Sequence, residues 1–258
     1  MGKNVERIGG TYSHDQEMWD QLEEVVKESG HPLRDVLESF PVYARRVNLS
    51  RFLVHYEIFK MIKDVPGSIV ECGVYRGSSL LTFAKLLEIY CPGDRTRKVI
   101  GFDNFAGFTE LSEEDGAEDP NCSKVVGGWN SSPYYNELLK HIDIFHADSF
   151  IPRAKRVELV VGNLEETATD YLEKNSGLRI SLLHLDCDVY KPTMAALEAF
   201  YPLVVPGGIV LLDEYGMAAW GGESAAFDEY FGKDTKHKLK TFPLSSTPTA
   251  YFIKGETV

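Results

Sequence analysis

The chain has 258 residues, 43% of them hydrophobic and 26% charged, which is enough to bury a sizeable core, and α/β chains of this length commonly form one domain. Its formal net charge of −12 lacks the basic footprint of nucleic-acid or anionic-membrane binding, so neither nucleic acid nor membrane is expected as a partner. No run reaches the roughly 18 apolar residues of a membrane span, the first sixteen residues lack the apolar core of a secretion signal, and four cysteines (Cys72, Cys91, Cys122, Cys187) show no metal-type spacing. These features predict a cytoplasmic protein in a reducing compartment.

From Gln16 to Glu28 and from Leu49 to Ile62 apolar residues recur three and four apart, as at Val54, Ile58, Met61 and Ile62, predicting a helical N-terminal extension over 1–63. Short β-rich runs follow at Ser68–Cys72, Lys98–Phe102, Glu158–Val161, Ile180–Leu185 and Gly208–Leu212. Helical or loop-like stretches separate them, the rhythm of parallel strands joined by crossovers. Ser78–Tyr90 carries an apolar helical stripe that stops before Cys91-Pro92-Gly93. His237–Leu244 and Thr249–Lys254 read as an antiparallel pair at the sheet edge. The predicted architecture is a Rossmann-like α/β fold: a mostly parallel seven-stranded sheet with an antiparallel C-terminal edge, in one domain over 1–258.

One connection breaks this rhythm: about 55 residues separate the second strand from the third, far above the usual αβ connection length. Residues 104–157 are therefore read as an insertion covering the substrate. Glu113–Asp119 reads as a solvated acidic loop. Gly127-Gly128-Trp129-Asn130, Tyr134-Tyr135 and a helix around Glu137–His141 form the covering part.

Val70-Glu71-Cys72-Gly73-Val74-Tyr75-Arg76-Gly77 ends a strand and opens a helix, where glycines admit a ligand and helix N–H groups face it. A dinucleotide fingerprint reads G-x-G-x-x-G, whereas the pattern here is E-x-G-x-x-x-G, and a leading carboxylate repels a pyrophosphate. It suits a ligand with an ammonium group, and S-adenosylmethionine carries one together with a sulfonium. Glu71, Gly73, Tyr75, Gly77 and Ser78 are thus the expected cofactor residues of this loop. Asp103, at the end of the second strand, is placed to accept from ribose hydroxyls, with helix capping as the competing role. Gly162 and Asn163 end the third strand.

Leu185-Asp186-Cys187-Asp188 and Leu212-Asp213-Glu214 both end strands, on the edge where open α/β sheets bind ligands. Four carboxylates converging there repel one another without a cation, and an all-oxygen set suits Mg²⁺ or Ca²⁺ rather than zinc. His184 reads as a buried, hydrogen-bonded histidine, and His141 and His146 as surface positions. Trp220 either stacks on a ligand or packs. Arg45 and Arg46 form a solvated helix face or bind a negatively charged substrate.

VECGVYRGSS, GFDNFAGF, LLHLDCDVYKPT and GGIVLLDEY, in that order, resemble the macrocin O-methyltransferase family of antibiotic-sugar methyltransferases. A paired-arginine segment, a D-E pair and a W-x-G-E loop make the likeness greatest to its TDP-rhamnose-methylating type. The resemblance implies a class I methyltransferase fold, S-adenosylmethionine and Mg²⁺ as cofactors, and methyl transfer to a sugar hydroxyl, with a TDP-sugar among the acceptors. It further implies that Asp186, Asp213 and Glu214 are metal ligands, Asp188 the base, Gly162 and Asn163 neighbours of the adenine, and Asp186 a neighbour of the cofactor. A homo-oligomer is expected as well. The competing functions are a metal-dependent catechol or phenol methyltransferase, an NAD-dependent sugar oxidoreductase, which the missing G-x-G-x-x-G disfavours, and a silent cofactor-binding module.

Overall fold

A computed structural model describes residues 12–151 and 154–256. The leader read for a secretion signal lies mostly outside the described residues, as do Pro152 and Arg153 of the insertion. Four helices come first: α1 (Tyr12–Ser29), α2 (Leu33–Glu38), α3 (Phe40–Tyr43) and α4 (Arg46–Ile62). Among the described residues, α4 is the one of these helices seated on the body through a buried stripe, Val54, Ile58, Phe59 and Ile62. The helices α2 and α3 bury no residue, and Leu33, Leu37, Phe40 and Val42 stay exposed.

Strand and helix then alternate through β1 (Ser68–Cys72), α5 (Ser78–Tyr90), β2 (Val99–Asp103), α6 (Ser132–Asp148), β3 (Val157–Val161) and α7 (Leu164–Lys174). They continue through β4 (Ile180–Leu185), α8 (Tyr190–Phe200), β5 (Val204–Leu212), α9 (Gly221–Phe231) and β6 (Ala250–Ile253). The sheet order is β3-β2-β1-β4-β5-β6; β1 to β5 pair in parallel and β6 runs antiparallel to β5. The expected parallel sheet and antiparallel edge are therefore present.

The seventh strand, expected at His237–Leu244, is a correction. Pairing there is confined to isolated bridges, Lys240 to Tyr251 among them, and among the described residues the sheet has six strands. Pro243 has no N–H for a ladder, and Phe242 is held instead by stacking on Tyr251 at 5.0 Å.

Burial on both faces explains why β1 and β4 read as unbroken apolar runs. Ile69, Leu182, Ile209 and Leu211 pack on one layer, with Phe83 of α5, Leu138 of α6 and the α4 stripe. Their neighbours Val70, Leu183, Val210 and Leu212 point the other way, onto Leu164, Leu197, Phe200 and Phe227 from α7, α8 and α9. Each such side chain, fully buried, stabilises the fold by roughly 1.5–3 kcal/mol. The strand order reverses between β1 and β4, which opens a crevice at their C-terminal ends. Among the described residues no helix is long and apolar enough to cross a membrane.

Candidate active site

A cavity of about 340 Å³ opens at that crevice, a size suited to a small-molecule ligand. Gly73, Tyr75, Ser78, Asp103, Gly162, Asn163, Asp186 and Asp188, eight of the residues singled out from the sequence, line it. Glu71, Gly77, Asp213 and Glu214 do not line it.

The glycine loop is shaped by contacts within the protein. Gly73 has φ +91°, and a Cβ there would come within 1.7 Å of the carbonyl oxygen of Asp186, so its lack of a side chain is what lets β1 and β4 end side by side. Gly77, at φ +80°, stands against Leu138 of α6. Asp103 holds the loop from the other side. Its Oδ2 accepts from the N–H groups of Val74 and Tyr75, both at 2.7 Å, and its Oδ1 accepts from that of Phe105 at 2.6 Å. Asn163 accepts from Asn104 at 3.0 Å, tying the end of β3 to the same wall.

Glu71 departs from expectation. The carboxyl expected to face the cofactor amine is fully buried beneath the loop, where Ser79 donates to its Oε1. Burial pushes its pKa up to about 8, so at neutral pH it is mostly an uncharged acid.

The carboxylate wall is organised from a distance. Arg51 of α4 donates to Asp213 Oδ2 at 2.8 Å and to Asp186 Oδ2 at 2.9 Å, and also to the Thr247 hydroxyl. His184 is fully buried, as expected, with Nε2 at 3.3 Å from Asp213 Oδ1. Burial alone would raise the pKa of Asp213, but Arg51 and His184 outweigh it and hold this carboxyl well below the ordinary range. Glu223 of α9 accepts from the N–H groups of Asp213 at 3.3 Å and Glu214 at 3.1 Å, clamping the D-E pair from behind.

One carboxylate oxygen each of Asp186, Asp188 and Glu214 lies within 4.8 Å of the others, as does a second group of Glu71, His184 and Asp186. The implied ligand trio of Asp186, Asp213 and Glu214 is thus not the one that converges here, because Asp213 is turned to Arg51 and His184. Both oxygens of Glu214 are buried without a hydrogen-bond partner. Burial, then the charges of Asp213, Asp188 and Asp186, push its pKa well up, and burial and Asp213 do the same to Asp186. A buried carboxylate left unpaired is costly. An all-oxygen set in that condition fits a hard divalent cation such as Mg²⁺.

Residues of the insertion, Phe108, Glu110, Ser112 and Trp129 among them, line part of the cavity. Trp129 meets Tyr75 edge-on at 5.2 Å, and Arg76 lies 4.0 Å over the Tyr134 ring. Tyr75, Trp129 and Asp188 all line the cavity at positive φ (50°, 56° and 62°), a conformation that non-glycine residues adopt mainly where function or packing demands it. The solvated loop expected at Glu113–Asp119 needs correction at Asp115. This residue is buried and accepts from the N–H of Tyr190 at 2.7 Å, fixing the start of α8 two residues after Asp188. Lys124, also buried, donates to the carbonyls of Asp115 and Ala219. Trp220 packs rather than stacks on a ligand, buried with its ring 5.9 Å from Phe108. His146 accepts from the N–H of Val157, and Arg45 lies over Trp19.

Arg51, Glu223 and Asp115 were not singled out from the sequence. For Arg51 a signal exists: it stands three and four residues before Val54 and His55, so a charge occupies the inward register of an apolar stripe. Glu223 lay inside the W-x-G-E loop but was passed over for Trp220.

Residues 45–242 match the family described as macrocin O-methyltransferase (TylF). The chain is 29% identical over 155 residues to the 8-demethyl-8-(2,3-dimethoxy-alpha-L-rhamnosyl)-tetracenomycin-C 4'-O-methyltransferase of Streptomyces olivaceus, covering 60% of this chain. That alignment spans about half the length of the relative, 55%. Identity to the mycinamicin III 3''-O-methyltransferase of Micromonospora griseorubida is 26% over 196 residues, 76% of this chain and 72% of the other. The crystal structure of the calicheamicin methyltransferase CalS11 superposes with a TM-score of 0.86 at 30% identity, over 94% of this chain and 93% of that one. The apo structure of CalS11, described as a TDP-rhamnose 3'-O-methyltransferase, gives 0.77 at 31%, over 94% and 95%. The fold is thus the α/β class I methyltransferase fold.

Proposed function

The chain belongs to the macrocin O-methyltransferase family and so is an O-methyltransferase, and we propose that it methylates a sugar hydroxyl of a TDP-sugar or a glycosylated natural product, using S-adenosylmethionine and Mg²⁺. The observation that carries this reading is the meeting, at one sheet edge, of a glycine-loop cavity with four carboxylates, one of which has both oxygens buried and unpartnered. When bound, S-adenosylmethionine supplies an activated methyl group, and the divalent cation lowers the pKa of the hydroxyl and fixes its direction.

The chain's own residues divide the remaining work. Asp103, with the loop it holds, and Gly162 and Asn163 shape the wall that receives the nucleoside. Asp186 and Glu214 supply oxygens to the cation. Asp188 reaches the same point, lines the cavity, and takes the hydroxyl proton. Asp115 holds the start of α8 and thereby the Asp188 turn, and Glu223 holds the backbone of Asp213 and Glu214. The insertion over 104–157 acts as the substrate cover. The whole of 1–258 works as one domain in the cytoplasm, and the exposed Leu33, Leu37, Phe40 and Val42 serve assembly into a homo-oligomer.

The test offers TDP-sugars, glycosylated natural products and catechols side by side with S-adenosylmethionine and reads methylation by mass. The expected result is methylation of a sugar acceptor, abolished by EDTA and restored by Mg²⁺. Transfer to catechols alone, or full activity after metal removal, overturns the corresponding part. Light scattering checks the assembly, and a monomer at working concentration rejects it.

A further inference from the structure

Arg51 reaches the carboxylate wall from a different part of the chain. It stands in α4, 135 residues from Asp186 and 162 from Asp213 in sequence, yet one nitrogen meets each carboxylate. A third contact, to the hydroxyl of Thr247, pins the guanidinium from the segment before β6. The arrangement is a two-armed fork across two anions, the geometry that a guanidinium has and an ammonium lacks.

The position it takes is chemically significant. A cation held by both Asp186 and Asp213 would compete for carboxylate oxygens that Arg51 already engages, the Oδ2 atom of each. Asp213 is buried and Asp186 is about one-fifth exposed, so water screens this contact weakly. Glu214, by contrast, has both oxygens buried without a hydrogen-bond partner. The wall is therefore divided: Asp213 is neutralised from within the protein, and Glu214 is not.

We propose that Arg51 is an exchangeable counter-cation, and that a divalent cation and the Arg51 guanidinium exclude each other between Asp186 and Asp213. Asp213 becomes a metal ligand only when Arg51 yields its place, and otherwise the ion is held by the Asp186, Asp188 and Glu214 oxygens. Metal affinity at this site is then set by a residue that is not itself a ligand. The proposal rests on the divalent-cation reading given above, and its test separates the two.

The experiment titrates Mn²⁺ into the full chain without cofactor or acceptor and follows free Mn²⁺ by electron paramagnetic resonance, in wild type, Arg51→Gln and Arg51→Lys. Removing a unit charge at contact distance in a weakly screened site gives an expected affinity gain of about tenfold or more for Arg51→Gln. Arg51→Lys keeps the charge but cannot bridge both carboxylates, so a smaller gain is expected. Thermal unfolding provides the second readout: without metal Arg51→Gln melts below wild type, and saturating Mn²⁺ raises its Tm by more than it raises that of wild type. Equal or weaker Mn²⁺ binding by a folded Arg51→Gln overturns the proposal while leaving the metal reading intact. Should Arg51→Gln fail to fold, Arg51→Lys decides by the same criterion. Absence of Mn²⁺ binding in wild type and both variants overturns the metal reading and this proposal together.

Discussion

On the glycine-loop side of the cavity backbone and near neighbours hold the polar groups: Asp103 takes three N–H groups, and Glu71 takes the Ser79 hydroxyl on Oε1, while its Oε2 is buried without a hydrogen-bond partner. On the carboxylate side Asp186, Asp188, Asp213 and Glu214 lie close together, with Arg51 donating to Asp186 and Asp213 and His184 set against Asp213. The first wall is preorganised by the chain alone. The second holds surplus negative charge that the chain only half compensates. The contrast lies in which carboxyls are met by backbone N–H groups, as Asp103 is, and which stand close to other carboxyls, as Glu214 does.

The contrast can be broken most sharply on the charged wall. Asp188→Asn should leave the fold and cofactor affinity nearly unchanged and lower the single-turnover rate by about 10²–10⁴-fold, the usual cost of losing a general base. An unchanged rate removes Asp188 from that role. Gly73→Ala joins the two walls in one defect, since a methyl group there meets the Asp186 carbonyl. It should cost about 3 kcal/mol or more in chemical denaturation, at the upper end for overpacking plus a left-handed alanine. A loss within 0.5 kcal/mol, the usual range of surface substitutions, would show that the two strand ends have room to separate.

Asp103→Ala sharpens the comparison from the neutral side. It releases the N–H groups of Val74, Tyr75 and Phe105, and calorimetry should show S-adenosylmethionine affinity falling by about tenfold, the worth of one charge-assisted hydrogen bond. Mn²⁺ affinity should change little, and an equal loss of both would mean that the walls are not independent. The comparison is also tested through pH at Glu71. Its pKa of about 8 in the folded chain lies above the ordinary 4.5, so the folded state keeps a proton that the unfolded chain releases. The stability this proton contributes is complete below pH 4.5 and is lost as pH rises through 8. Glu71→Gln cannot ionise, and its Tm relative to wild type should therefore rise between pH 5 and 8. A constant difference across that range would place the Glu71 pKa near its ordinary value.

The sheet and the glycine loop were legible because their causes are local. A strand buried on both faces must be apolar throughout, and Ser68–Cys72 and Ile180–Leu185 coincide residue for residue with β1 and β4. Ser78–Tyr90 matches α5 equally well, and the strand-end positions of the four carboxylates placed them on one edge before any coordinate did. The role of the edge segment at His237–Leu244, the burial of Asp115 and the charge of Glu71 were not legible in this way. Each depends on what packs against the residue from elsewhere in the chain.

By itself, the sequence determined the order of strands and helices, the glycine turn and the acidic composition of the site, because periodicity and backbone sterics act over a few residues. Only the tertiary structure decided how that acidity is partitioned. Arg51 turns to Asp213 across 162 residues and Glu223 reaches back to the D-E backbone from α9. Burial then pushes the pKa of Glu71 up to about 8 and leaves the Glu214 oxygens without a hydrogen-bond partner. Hydrogen bonding and desolvation act through space and leave no spacing in the chain to read, so the same carboxylates could have been assigned to ligand, base or structural acid until their neighbours were in place.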